Sequence, residues 1–358
     1  MTFAVQPAAL RGYAKLLGSQ VHEVEAMRTY QRNEIDRDIE WGGLLALFGD
    51  TYPKTVSELN DSLNKAGRLL DGSGDGLVNT AGIYESIDHD AGLRLDSTMP
   101  GNERGAVLPP GEREAATPFE PRRVPSGRLS PPGDYSDQFR WQMDILDAVG
   151  LSITAFVRQA IVSLAGWDPF EPVMRDWTGD WSEIRSVADA WHSTRHGFED
   201  LSVNVVQGAQ DLADAWQGNA AGACLTYLQR LSESLHGEAE LCRFVRDKLV
   251  EAADGAADMY KAASGLMSSA IDWALTAAIA AGAGTMTVEV YGIGVVGWVF
   301  AGIAIEQVIV KLAKVADIIS DFKNVLEGLV GLLRSIDARS FDGYEMSRLP
   351  DEPYTAPR

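Results

Sequence analysis

The clearest pattern of apolar and polar positions is a heptad repeat over residues 182–266. Apolar side chains recur every seven residues, with a further position three residues after each, as in helices that pack along a seam. The first half carries Ile184, Trp191, Phe198, Val205 and Leu212. The second half carries Leu228, Leu235, Cys242, Leu249, Ala256 and Ala263. Glu238 is the residue that interrupts this seam most strongly.

The stretch DAWQGNAAG, residues 214–222, joins the two halves of the repeat. Gly218 suits the positive φ at which many helices end, and Asn219 is a good N-cap for a following helix. The pattern therefore predicts two antiparallel helices around a turn that contains Trp216 and Gly218. Together with a helix before them, they form a predicted unit over residues 134–266.

A first pair of helices is predicted within residues 1–95. Pro7 can occupy the first turn of a helix, and apolar residues follow it at three- and four-residue spacing. The middle of this region contains another Trp-x-Gly, formed by Trp41 and Gly43. The polar run DGSGDG at 71–76 is expected to interrupt the second helix.

Between the two pairs, residues 96–133 are predicted to be a disordered linker. Eight of the fifteen prolines lie in 97–133, among Gly, Ser, Glu and Arg. Such a composition buries too little apolar surface to offset the entropy lost on ordering.

The most apolar region, 267–312, predicts a further helical hairpin. Its second run, VYGIGVVGWVFAGIAI, has sixteen residues, fewer than the roughly 20 of a relaxed membrane span. Asp272, Glu289 and Glu306 border the runs, which favours a buried hairpin over insertion into a membrane, the alternative. An amphipathic helix is predicted to complete a unit at 267–340, and 341–358 to be a loose tail.

Together these elements predict an all-α protein. Tandem helix-turn-helix hairpins pack as a four-helix bundle, followed by the apolar hairpin and the C-terminal amphipathic helix. The formal net charge is −20, which repels nucleic acid and excludes it as a partner. The first residues, MTFAVQPAALRGY, lack a charged region followed by an apolar one, so a cleaved signal peptide is not expected.

Candidate chemistry is sparse. His192 and His196 have the i, i+4 spacing of metal ligands, but no third ligand is placed with them, and they are expected to be solvated. The run Asp71, Ser73, Asp75, Gly76 begins like a calcium loop, but Gly82 stands where a bidentate Glu is needed. Cys224 and Cys242, about 27 Å apart on one helix, are expected to be core residues that cannot bridge. No catalytic signature stands out, and neither an enzyme, a metal nor a cofactor is expected.

Tyr84 and Asp88 lie one helical turn apart near the end of the first hairpin. A helix–Trp-x-Gly–helix hairpin followed by Tyr-x-x-x-Asp resembles substrates of the actinobacterial type VII (ESX) secretion system. Residues 1–93 are similar to EspC-like members through Trp41, Gly43, Tyr84 and Asp88. Residues 166–266 are similar to the WXG family, with Trp216 and Gly218 as the motif. In the second hairpin, Ser264 stands where an acidic residue would complete a second export motif.

The resemblance implies a non-enzymatic protein, with two hairpins fused as if a PE/PPE-type pair had been joined. It implies that Trp216 packs near Tyr84, as an exposed anchor in a composite surface for the secretion ATPase. Self-association or a WXG-like helical partner, and membrane contact through 267–312, are further expectations. The implied location is cytoplasmic before export and then secreted or associated with the cell envelope. A membrane-active or pore-forming protein, and a carrier or adaptor of a secreted toxin system, are the alternative functions.

Overall fold

The structure, a computed structural model, describes residues 4–86, 94, 119–140, 155–291, 294–338, 340–341, 344–345 and 347–355. Within them the protein is all-α, as predicted. The long helices are α1 (Pro7–Tyr30), α2 (Tyr52–Ser86), α3 (Ala155–Ala165), α4 (Glu171–Trp177), α5 (Trp181–Ala215), α6 (Asn219–Tyr291) and α7 (Gly294–Arg334). A π-helical turn covers Gln31–Ile35, and 3-10 turns cover Gly43–Leu47, Pro125–Arg128 and Ser335–Ala338. Four two-residue strands pair antiparallel, β1 (Ala4–Val5) with β2 (Trp216–Gln217) and β3 (Ser340–Phe341) with β4 (Tyr344–Glu345).

The α5–α6 hairpin confirms the predicted heptad seam. The five heptad residues of α5 are at most 1% exposed, and those of α6 are fully buried. The hairpin turns at Gly218, whose φ is +128°, a conformation that a Cβ would strain. At the start of α5, the Asp180 side chain accepts a hydrogen bond from the Glu183 amide at 3.0 Å, as expected of an N-cap.

The α1–α2 hairpin packs against the α5–α6 hairpin to form the four-helix bundle. The Tyr13 hydroxyl on α1 donates to the Val205 carbonyl on α5 at 2.8 Å. The Asn204 amide of α5 donates to Gln20 on α1 at 2.8 Å, with both side chains buried. These buried hydrogen bonds fix the register of the hairpins, because a shift would leave polar groups unpaired.

Helix α6 runs on well beyond this bundle. At 73 residues it is about 110 Å long, and α7 packs back along its distal half. The ring centroid of Phe322 on α7 lies 5.8 Å from that of Trp181 at the start of α5. The prediction of a separate apolar hairpin is therefore wrong in its boundaries, because its first run continues α6 and its second begins α7. No helix-breaking residue stands at the predicted boundary between 266 and 267, so helix α6 continues across it.

The expectation that this apolar region is buried is wrong for part of its surface. Ile279 of α6 is 72% exposed and Phe300 of α7 is 60% exposed, and Trp298, Val299 and Ile303 are also exposed. Asp272 and Glu306 are exposed as expected, and Glu289 lies outside the residues whose side chains the structure describes.

Among the described residues, the one helical stretch long and apolar enough to cross a membrane is Asn219–Gly282, and 39% of its most apolar window is buried. The core helix of a soluble protein satisfies the same criterion.

The prediction of a disordered linker is wrong for residues 119–133, while 96–118 lie outside the described residues. Asp200 of α5, which is buried, accepts hydrogen bonds from Arg123 and Arg128 at 3.0 Å each. The Arg123 backbone exchanges two hydrogen bonds with the Asn204 side chain, at 3.0 and 2.8 Å. These hydrogen bonds add to the apolar contacts of the segment, in which Phe119 and Leu129 pack against the core and Pro125 is buried.

The structure corrects two further expectations, a helix break at 71–76 and a loose C-terminal tail. Helix α2 continues through 71–76, so this run forms neither a break nor a calcium loop. Residues 347–355 of the predicted loose tail pack against it, and the Tyr354 amide donates to the Ser73 hydroxyl at 3.2 Å. Because Gly72 and Gly76 have no side chains, they leave the space that the tail occupies.

Candidate functional site

The two predicted motifs meet where the two hairpins join. Tyr84, in the last turn of α2, lies edge-on to Trp216, with ring centroids 6.2 Å apart and an interplanar angle of 74°. This T-shaped arrangement is favourable because the positive edge of one ring meets the negative face of the other. The proximity that the resemblance implied is therefore present.

The chain around the contact explains why the rings meet. Val5 in β1 pairs with Trp216 in β2, and the Gln6 amide donates to the Ala215 carbonyl at 3.0 Å. These bonds hold the start of α1 against the turn of the second hairpin. Arg11 of α1 pairs with Glu85 of α2 at 2.6 Å on the exposed side of the junction, where such a pair contributes little to stability.

Trp216 is not the exposed anchor that the sequence indicated. Its side chain is 1% exposed, and Tyr84 is 9% exposed. The indole is buried because the start of α1 and the end of α2 cover the turn. Its N–H is buried and has no hydrogen-bond acceptor among the residues that the structure describes, which is costly for a buried donor.

Asp88, the second residue of the predicted export motif, lies outside the described residues. Its position relative to Trp216 therefore stays a prediction. The last described residues of α2 are Glu85 and Ser86, both exposed.

The first Trp-x-Gly lies at the opposite end of the bundle and does not form a tight turn. Trp41 is half-buried and packs against Tyr52, with centroids 5.5 Å apart. Gly43 has a φ of +54°, and a Cβ there would collide with the Thr178 carbonyl oxygen. Glycine is required because the α4–α5 connection passes directly over it. Trp41 and Gly43 thus join the first hairpin to the start of the second.

One residue near this junction, Tyr354, was not predicted from the sequence. Tyr354 of the tail reaches the same end of the bundle, where its ring lies 6.2 Å from Tyr227 of α6 and its carbonyl oxygen lies against Gly76 of α2. Burial raises the pKa of Tyr354 and that of the Cys224 thiol, so both stay neutral at physiological pH. The signal in the sequence was the pair of small residues on α2, Gly72 and Gly76, one turn apart.

The other candidate groups are distributed along the bundle. His192 and His196 approach at 3.2 Å between their Nε2 atoms, and Nδ1 of His196 lies 2.8 Å from Glu199. In the described part of the chain, no three His, Cys, Asp or Glu side chains are arranged as metal ligands. Cys224 and Cys242 are buried and are not joined by a disulfide, as predicted.

The chain matches no family model, no curated protein and no solved structure. Its class is therefore defined here by the fold, a helical bundle of two antiparallel hairpins extended by a long helical arm.

Proposed function

We propose that this chain is a non-enzymatic substrate or component of a type VII secretion system, exported as a folded helical bundle. The observation that carries the proposal is the contact between Tyr84 and Trp216 across the two hairpins. In the family that the sequence resembles, the Trp-x-Gly end of one hairpin lies beside the export motif of the other. Here one chain supplies both parts, so pairing needs no separate partner.

The charge distribution and the buried junction support this proposal. A net charge of −20 keeps the bundle away from nucleic acid and anionic surfaces before export. The end of α2 presents Glu85 and Ser86 to solvent above the buried Tyr84. In this account the Tyr84–Trp216 contact sets the direction in which Asp88 is presented to the secretion ATPase.

Export is the measurement that tests the motif. Asp88→Ala is expected to abolish appearance of the protein in the culture filtrate of an actinobacterium that carries the system. Glu85→Ala is the matched control, because it removes a nearby exposed carboxylate that pairs with Arg11. Both variants should keep the helical circular-dichroism spectrum of the wild type, since a surface carboxylate contributes little to stability.

Equal amounts of the Asp88→Ala variant and the wild type in the filtrate would contradict the motif. Loss of export in both variants to the same degree would show that acidity at the end of α2 matters and that Asp88 has no special role.

A second candidate function is membrane contact through the end of the α6–α7 arm. The specific observation is that four large apolar side chains near this end are exposed, Ile279 on α6 and Trp298, Phe300 and Ile303 on α7. Extensive exposed apolar surface is typical of regions that bind a membrane or another protein. Asp272 and Glu306 oppose entry when ionised, and their protonation lowers that cost.

Dye release from anionic liposomes separates this candidate from the first. Release is expected only at mildly acidic pH, and Phe300→Asp should suppress it. Strong release at neutral pH would contradict the inhibiting role of the border carboxylates, and absence of release at every pH would remove the membrane candidate.

A further inference from the structure

The C-terminal segment 347–355 lies in a groove between α2 and α6. On the α2 side, Lys65 donates to the Leu349 carbonyl at 3.0 Å, and Ser73 accepts from the Tyr354 amide at 3.2 Å. On the α6 side, the Ser234 hydroxyl donates to the Arg348 carbonyl at 2.9 Å. The segment is thus held largely through its backbone, as an extended peptide is held in a recognition groove.

Glycines shape this groove for the chain that occupies it. A Cβ at Gly72 would lie 2.8 Å from the Pro353 ring, and one at Gly76 would collide with the Tyr354 carbonyl oxygen. A Cβ at Gly237 of α6 would lie 2.9 Å from the Ser347 carbonyl oxygen. Because glycine weakens a helix interior, its presence at these contacts is consistent with a requirement for space.

The segment ends beside the candidate export site. The Tyr354 ring lies 6.2 Å from Tyr227, one helical turn after Cys224 on α6, and its carbonyl oxygen lies against Gly76, about two turns before Tyr84 on α2. The pKa of Tyr354 is raised by burial and, to a smaller degree, by the nearby Cys224 and Tyr84. Cys224 is fully buried in this part of α6. The tail therefore ends close to the junction formed by Tyr84 and Trp216.

We propose that residues 347–355 form a displaceable strap, whose release opens the groove between α2 and α6 beside the Tyr84–Trp216 contact. The role of the strap rests on the proposed function, because that contact is the site close to which it ends. Its apolar anchors are Leu349, which is 5% exposed, and the partly buried ring of Tyr354. Two anchors for nine ordered residues make the strap a unit that opens more easily than the bundle beneath it.

The test uses the two buried thiols, Cys224 and Cys242, as reporters. Purified protein is pulsed with iodoacetamide, and mass spectrometry measures the labelling of Cys224 and Cys242 separately. Gly76→Ala should displace the strap while leaving the strap's own sequence unaltered, because the added methyl group occupies the place of the Tyr354 carbonyl. Cys224 labelling is expected to rise at least tenfold, while the labelling of Cys242, buried elsewhere on α6, stays unchanged.

Gly82→Ala is the matched control, since it makes the same change on the same helix where a Cβ meets nothing within 4 Å. It should leave both labelling rates at the wild-type value. Tyr354→Ala, which weakens the strap from the other side, should reproduce the selective effect of Gly76→Ala.

Unchanged Cys224 labelling in both strap variants would overturn the proposal. Equal increases at Cys224 and Cys242 would overturn it as well, because they would show that the bundle opens as a whole. The assay involves no secretion, so its failure leaves the export proposal standing. Export of Asp88→Ala at the wild-type level would contradict the export motif but would leave the displacement of the strap standing.

Discussion

Replacing Asp200 by asparagine should loosen the segment 119–133 from the bundle. The Asp200 side chain is 3% exposed and accepts a hydrogen bond at 3.0 Å from each of Arg123 and Arg128. A hydrogen bond to a charged group contributes about 1.5–3 kcal/mol. The two arginines are 47% and 56% exposed, so solvent screens them and each bond contributes about 1 kcal/mol. The substitution should therefore cost about 2 kcal/mol, or a roughly 30-fold increase in the opened population.

Limited proteolysis with trypsin measures this opening, because Arg122, Arg123 and Arg128 become cleavage sites when the segment leaves the bundle. When reclosing is faster than cleavage, the cleavage rate follows the opened population. Asp211→Asn is the matched control, since Asp211 has one arginine partner, Arg122, at 3.2 Å, and should give a roughly fivefold increase. A cleavage rate for Asp200→Asn within twofold of the wild type would refute the reasoning.

Two other predictions concern the core of the bundle, and a third concerns His192 on its surface. Leu235→Asp places an unpaired charge at a fully buried seam position and should lower the free energy of unfolding in urea by more than about 4 kcal/mol. Gly208→Val drives a side chain into the buried ring of Tyr13 and should cost about 1–3 kcal/mol in the same assay, whereas an unchanged midpoint would show that α1 and α5 are not in contact. The pKa of His192 is lowered, first by burial and then by His196, so the unfolded chain protonates first as pH falls. The melting temperature should therefore drop between pH 7.5 and 5.5 by a larger amount in the wild type than in His192→Gln, and equal drops would contradict this.

The parts of the fold predicted from the sequence are those fixed by local patterns. The heptad seam of α5 and α6 and the turn at Gly218 depend on residues a few positions apart, and both are confirmed. The proximity of Tyr84 and Trp216 was implied by a family resemblance and not by any pattern of residues.

The parts that were missed depend on partners far apart in the chain. Residues 119–133 are rich in proline and arginine, and they are ordered because Asp200, in a different helix, is buried opposite two of the arginines. The run at 71–76 predicts a helix break, because its local sequence does not show that the tail lies against Gly76. Composition describes what a segment does alone, and neither contact can be derived from it.

The apolar arm was misjudged for a related reason. Its hydrophobicity indicates burial, but helices α6 and α7 cover only one face of each other near residues 279–303 and leave Ile279 and Phe300 exposed. Periodicity locates an apolar face without telling what covers it.

The central claim, that the chain is handled by a type VII system, is tested most directly by following its export with and without the secretion ATPase. The wild-type protein is expressed in a parent actinobacterial strain and in one that lacks the ATPase, and the culture filtrate and cell lysate are quantified by immunoblot. The account predicts protein in the filtrate of the parent, and protein retained entirely in the lysate of the deletion strain. Equal amounts in both filtrates, or none in the filtrate of the parent, would contradict it.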